Sequence, residues 1–124
     1  MAKLTYFSHS AWKIESGSHT ILIDPFLNDN PTSPVKANEV KADFIIITHG
    51  HGDHVGDSIE IAKANNSTII SNFEIVNWCT SRGVNAHPLH IGGAHEFPFG
   101  RVKLTQAFHG SELPDGTYGG MPAG

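Results

Sequence analysis

Seven consecutive residues constrain this chain more than anything else in it. Thr48-His49-Gly50-His51-Gly52-Asp53-His54 puts three imidazoles and a carboxylate within six positions, directly behind the apolar run Phe44-Ile45-Ile46-Ile47. A continuous β-branched run of that kind is the pattern of a strand buried on both faces. If the backbone leaves that strand extended, His49 and His51 project to the same side, because the side-chain period of a strand is two. Gly50 and Gly52 have no Cβ, so the chain can turn sharply and aim Asp53 and His54 at the same region. Crowding polar groups at a strand end is costly unless they share a ligand, and three imidazoles with one carboxylate suit zinc, or manganese or iron in a hydrolytic setting. A structural zinc site would more often contain cysteine, and none is near.

Composition supplies the frame around that segment. At 124 residues the chain is one domain at most, and 39% hydrophobic with 16% charged residues describes a folding sequence rather than a disordered one. No stretch approaches the roughly 20 apolar residues of a membrane span. Met1-Ala2-Lys3 leads into an alternating pattern rather than an apolar run, so no secretory signal is expected. The single cysteine, Cys79, excludes an internal disulfide and suits a reducing cytoplasm. A net charge of −4 without a basic cluster argues against nucleic acid as the partner, although a nuclease stays an alternative. Nine histidines outnumber the eight Lys plus Arg, and histidine is both the commonest metal ligand and a proton shuttle.

Local patterns predict strands at 4–7 and 11–14 around a turn at Ser8-His9-Ser10, then at 20–23, ending at Asp24-Pro25 because proline cannot donate to a ladder. Residues 28–38 carry loop chemistry. Asp57 with Glu60 predicts an N-capped helix that Asn65-Asn66 stops, and 68–70 a short strand. Ser71 with Glu74 predicts a second cap, with Phe73, Val76 and Cys79 on one helix face and an end near Gly83. Strand-like segments follow at 86–91, 95–97 and 102–105, and residues 113–124, rich in Gly and Pro, read as a connector. Asp24 either orients the metal loop or makes an Asx turn before Pro25. His87, His90 and His95 read as strand residues rather than ligands, and Cys79 as a core residue.

The segment 48–54 resembles the HxHxDH signature of metallo-β-lactamase fold hydrolases. The likeness extends to His9-Ser10, to Ile23-Asp24-Pro25-Phe26-Leu27 and to Ala107-Phe108-His109-Gly110-Ser111, and in that order the blocks look like the branch similar to L-ascorbate-6-phosphate lactonase. The resemblance implies an α+β fold, the αββα sandwich, with residues 1–124 matching its N-terminal αβ half. It implies a first divalent metal on His49, His51 and His109 and a second on Asp53 and His54, most simply two zinc ions per complete site. It also implies hydrolysis of an ester, lactone or phosphoester, with a small anionic substrate fitting best, by a metal-held hydroxide. Asp53 would serve as ligand first and proton acceptor second, and His9 would lie at the rim. Histidine at position 51 favours hydrolysis over redox chemistry, since oxygen-reducing diiron relatives carry Glu there. The family's bridging Asp and last His belong to a second half, so the expected partner is a complementary C-terminal half or a second copy of the chain. From another class stands a non-catalytic metal-binding or assembly module.

Overall fold

The computed structural model describes residues 1–124. Its centre is a six-stranded sheet in which spatial order equals chain order. Strands β1 (Ala2–Tyr6), β2 (Trp12–Ser16) and β3 (His19–Ile23) form an antiparallel meander. β4 (Phe44–Ile46), β5 (Thr68–Asn72) and β6 (Asn85–Leu89) then add in parallel, β4 on β3 and β5 on β4. Parallel neighbours need crossovers, and these are a long loop with a 3-10 turn at Ala37–Glu39, the helices α1 (Gly52–Val55) and α2 (Ser58–Asn65), and the helix α3 (Phe73–Thr80). A hairpin of β7 (Ala94–Phe97) and β8 (Gly100–Lys103) completes the fold.

Strand alternation sorts the apolar residues into two cores. Leu22, Ile45, Ile47 and Ile69 pack against Val55, Ile61, Ile75 and Cys79 of the helices. On the opposite face Ile70 and Leu89 meet Leu104 and Ala123, with Phe97 and Phe99 of the hairpin region against them. The run 44–47 is therefore not buried equally on both faces. Ile45 and Ile47 are fully buried, while Phe44 and Ile46 are half-buried beneath the aromatic rings of Phe97 and Phe99. On that second face Ile21 of β3 is buried, but further out Leu4, Trp12, Ile14 and Ile23 line a wholly apolar surface groove.

Three local expectations change. Asp57 does not cap α2 with its side chain; its carboxylate accepts instead from the backbone N–H groups of Leu27 and Asn28, fastening the loop after β3 to the start of the helix. α3 is capped by Asn72, whose side chain accepts from Ile75 N, because Ser71 is still in the strand and donates to Ile47 O. Phe73 consequently points outward, 48% exposed, and the buried face of α3 is Ile75, Val76 and Cys79. Burial pushes the Cys79 thiol up to about 12, so it is an inert core group.

The last twelve residues are a packed segment rather than a loose connector. Thr105 and Gly124 exchange both backbone hydrogen bonds, Ala123 N donates to Thr48 O, and Leu113 is 1% exposed. Asp115 clamps this segment to α3, accepting from Trp78 Nε1 at 2.9 Å and Arg82 at 2.8 Å, while the guanidinium stacks on the Trp78 ring. The Trp78 bond, with those from Thr117 and Arg82, holds the Asp115 carboxyl well below the usual carboxylate range.

Asn72 is the hinge pin of this arrangement, because its amide also donates to Gly119 O and Met121 O from a position 5% exposed. Asn72→Ala should therefore cost about 2–4 kcal/mol, combining a lost cap with buried carbonyls left unpaired. Phe73→Ala should stay within about 0.5 kcal/mol. Urea unfolding of both variants checks the contrast.

Candidate metal centre

The histidine-rich segment sits at the C-terminal end of β4, the edge where open α/β sheets gather their ligands. His49 and His51 do project to the same side, with ring centroids 4.9 Å apart. The chain then turns into the single-turn helix α1, whose first bonds run from His54 N and Val55 N to His51 O. That helix, which the local patterns did not predict, presents Asp53 and His54. Of the two glycines in the segment, Gly50 is required by close approach: a Cβ there would collide with the carbonyl oxygen of Ser111. A Cβ on Gly52 would meet only Pro114 at 3.8 Å, an ordinary contact, so its freedom is not what turns the chain.

His109 arrives from the far end of the sequence. Its ring lies 4.4 Å from that of His49 and 4.8 Å from that of His51. Two contacts hold it there. Gly50 N donates to Ser111 Oγ at 3.0 Å, and Ser111 Oγ donates to Gly119 O at 2.9 Å, so a buried hydroxyl ties the metal loop to the loop bearing His109. Gly110 lets the His51 ring close in, since a Cβ there would lie 3.1 Å from His51 Nε2.

The five expected donors thus converge with His9 as a sixth, in two groups. One nitrogen each of His49, His51 and His109 lie within 4.8 Å of one another, and so do donor atoms of His9, Asp53 and His54. The two groups adjoin, with the His49 and His54 rings 4.0 Å apart. His9 belongs to the second group and not merely to its rim. Its position comes from a turn in which Ser8 and His9 both take left-handed backbone angles, φ 79° and 56°, at a cost of about 1–3 kcal/mol each. No comparable grouping forms around His87 and His95, which meet Phe97 edge to face.

Hydrogen bonds prepare the donor nitrogens. Asp24, 2% exposed, accepts from Thr48 N at 2.8 Å and from Thr48 Oγ1 at 2.7 Å, and pairs with His54 Nδ1 at 2.8 Å. It therefore orients the metal loop, and its side chain makes no Asx turn; φ of 43° at Asp24 is the backbone cost. Because the Thr48 hydroxyl proton goes to Asp24, Thr48 Oγ1 is left to accept from His49 Nδ1, 2.9 Å away. His49 is thereby fixed with its proton on Nδ1 and a bare Nε2. That Nε2 is buried with no hydrogen-bond partner, the condition of an atom whose natural partner is a cation. The same logic leaves His54 Nε2 free to face the site.

Electrostatics favour the donor form of His49 and Asp53, whereas at His54 they favour a proton that a bound cation would have to displace. Burial, reinforced by the neighbouring His54 and His109, lowers the pKa of His49 to about 4, so the ring is neutral near pH 7. For His54, burial pulls downward but the hydrogen bond and charge of Asp24 outweigh it, and its pKa is raised. For Asp53, burial pulls upward but His54, its own backbone amide, His9 and His51 outweigh it and keep the carboxylate ionised. The donor set of five imidazole nitrogens and one carboxylate, without sulfur, fits zinc and equally accommodates other divalent first-row ions. Beside it opens a cleft of about 380 Å³, with Trp12, Ile23 and Ala107 forming its apolar wall. Sequence reasoning missed Thr48 as the group that sets the His49 tautomer, although it directly precedes the motif. It also missed Ser111 as the loop tie.

Comparison with known proteins places this geometry. Residues 3–119 match the Beta-lactamase superfamily domain, and the chain belongs to that superfamily. A UPF0173 metal-dependent hydrolase of Bacillus cereus is 55% identical over 127 residues, which cover 98% of this chain and 56% of the relative. The chain thus spans about half the length of the curated relatives it matches. Among solved structures, Igni18, a metallo hydrolase from the archaeon Ignicoccus hospitalis, superposes with a TM-score of 0.85 at 34% identity, covering 99% of this chain and 54% of that one. CmlA, a diiron β-hydroxylase from Streptomyces venezuelae, shares the fold at a TM-score of 0.63 and 15% identity, over 88% of this chain and 24% of its own. The mixed sheet with its helices on one face is the fold expected from the sequence resemblance.

The lowered pKa of His49 has a signed consequence. Unfolded, this histidine takes a proton as pH falls through about 6.5, while the folded chain resists until about 4. Its contribution to stability is present above pH 6.5 and is lost between there and pH 4. Metal-free protein should show a falling urea midpoint across that window, and His49→Gln should flatten the fall. His54 has the opposite sign, favouring the fold at low pH and losing that contribution as pH rises through its raised value.

Proposed function

We propose that this superfamily member carries the metal-binding part of a metal-dependent hydrolase, with His49, His51 and His109 holding one divalent cation and Asp53 and His54 a second beside it. The buried, unpartnered Nε2 of His49, set between two converging donor groups, carries the reading. Zinc is the first choice for the ion, with manganese and iron as alternatives, since the fold also serves a diiron protein. Divalent cations bound there supply Lewis acidity and bring the pKa of water toward neutrality.

The chain's own residues do the rest. Thr48 keeps His49 in one neutral tautomer, and Asp24 fixes the ring plane of His54. Asp53, ionised and exposed, is a donor first and a proton acceptor second. The cleft, of small-molecule size, offers an apolar wall to one part of a substrate and the donor cluster to its reacting group. A small anionic ester, lactone or phosphoester is the substrate class that fits, in keeping with the resemblance to the lactonase-like branch. The names of the relatives support metal-dependent hydrolysis.

The uncovered apolar groove of Leu4, Trp12, Ile14 and Ile23 supports a further part of the proposal, that a complementary half or a second copy of the chain covers the sheet and completes the site. The lone buried Cys79 suits a reducing, cytoplasmic setting.

The test is hydrolysis of a panel of lactones and phosphoesters by the metal-loaded protein. His51→Ala should lower the rate at least about 100-fold while the metal-free fold keeps its far-UV circular dichroism and melting temperature. Hydrolysis that survives both chelation and His51→Ala would refute the reading. Tight metal binding with no hydrolysis across the panel, by the chain assembled with its complementary half or second copy, would favour the metal-binding module instead.

A further inference from the structure

We infer that His9 is a direct ligand of the second cation, so that the first turn of the chain contributes a third donor alongside Asp53 and His54. The inference rests on the reading above that Asp53 and His54 bind a metal, and adds a ligand to it.

Three independent observations bear on it. The first is distance. Two ligand atoms bound to one zinc at about 2.0–2.1 Å in tetrahedral geometry stand about 3.4 Å apart. His9 Nε2 lies 3.2 Å from Asp53 Oδ2, close to that edge length and beyond the 2.7–2.9 Å or so of a charge-assisted hydrogen bond. The donor atom of His54 completes the triangle within 4.8 Å.

The second is orientation. Asp24 occupies His54 Nδ1, which turns the other nitrogen of that ring toward His9, and the two rings meet edge to face at 5.2 Å. Phe26 packs edge-on against the other side of His9 at 5.6 Å, leaving the imidazole few directions in which to move. Tyr6 Oη donates to His9 O at 3.0 Å, and Ser8 Oγ contacts Thr32 Oγ1, so both turn residues are tied down.

The third is strain. Neither Ser8 nor His9 is a glycine, yet both occupy the left-handed region. Glycine would take those angles freely, so a side chain at position 9 is kept against the backbone's preference. Strain of this kind gathers where a side chain is needed in one place, and that place here is the Asp53 carboxylate.

The deciding experiment is zinc titration of the full 124-residue chain, read by native mass spectrometry and elemental analysis. The wild type should take up two equivalents. His9→Gly should take up one, while its metal-free melting temperature is unchanged or higher because the left-handed strain is relieved. His9→Asp, which returns a carboxylate donor, should restore at least part of the second equivalent. If metal-free His9→Gly did not fold, His9→Asn, whose side chain tolerates left-handed angles, takes its place with the same expectation. His51→Ala should remove the first equivalent and leave the second. A second equivalent that persists with unchanged affinity in His9→Gly overturns the role of His9 and leaves the hydrolase reading standing. A wild type that binds no zinc overturns both.

Discussion

One buried carboxylate organises this molecule. Asp24 leaves β3 at a strained backbone angle and reaches across to the end of β4, where it takes hydrogen bonds from the Thr48 amide and hydroxyl and from His54. A carboxylate almost wholly removed from water is expensive unless it is well hydrogen-bonded, and here three donors supply those bonds. The same bonds set the Thr48 hydroxyl, and through it the tautomer of His49, so one acid on a neighbouring strand prepares two donor rings from the metal loop. Remove it and the loop loses both its anchor and its polarity.

The fold around that acid is a division of labour by strand alternation. One face of β3–β5 buries Leu22, Ile45, Ile47 and Ile69 under the helices and supplies most of the cohesion. The C-terminal edge of the same strands is freed to hold polar groups that would not tolerate a moving scaffold. Rigid strands beneath and short loops above are the combination that lets six donor side chains meet without cofactor-free collapse of the site into ion pairs alone. The His9–Asp53 contact is the one place where the two donor types meet directly.

Much of this was legible in the sequence, and the legible part has a common cause. His49, His51, Asp53 and His54 are local, so strand periodicity and a few turn residues place them without knowledge of the rest. The sequence resemblance brought in His109, which spacing alone would have left as an ordinary strand-end histidine. What escaped was either non-local or a matter of one residue in register. The hydrogen bond from Gly50 N to the Ser111 hydroxyl joins positions 61 residues apart. Asn72 rather than Ser71 caps α3 because the strand runs two residues beyond its β-branched core, which moves the cap by one residue and turns Phe73 from the predicted buried face to solvent. The docking of residues 113–124 was invisible because Gly- and Pro-rich composition speaks of turns, whereas the holding forces are an indole, a guanidinium and Asp115.

That docking also determines how a bound ion would leave. Two of the three first-group donors sit on the rigid end of β4, but His109 rides on a segment fastened by the Ser111 hydroxyl, the Asn72 amide and the surface clamp of Asp115 with Arg82 and Trp78. That segment also sends Leu113 into the main core and Ala123 into the second, and Ala123 N bonds Thr48 O, so moving His109 away would cost packing as well as hydrogen bonds. Retention of a bound ion would then depend on these fastenings as well as on the coordination bonds. The Arg82–Asp115 pair lies at the surface, where salt screens it, so metal exchange becomes an ionic-strength-dependent rate even though no charge of that pair touches the metal.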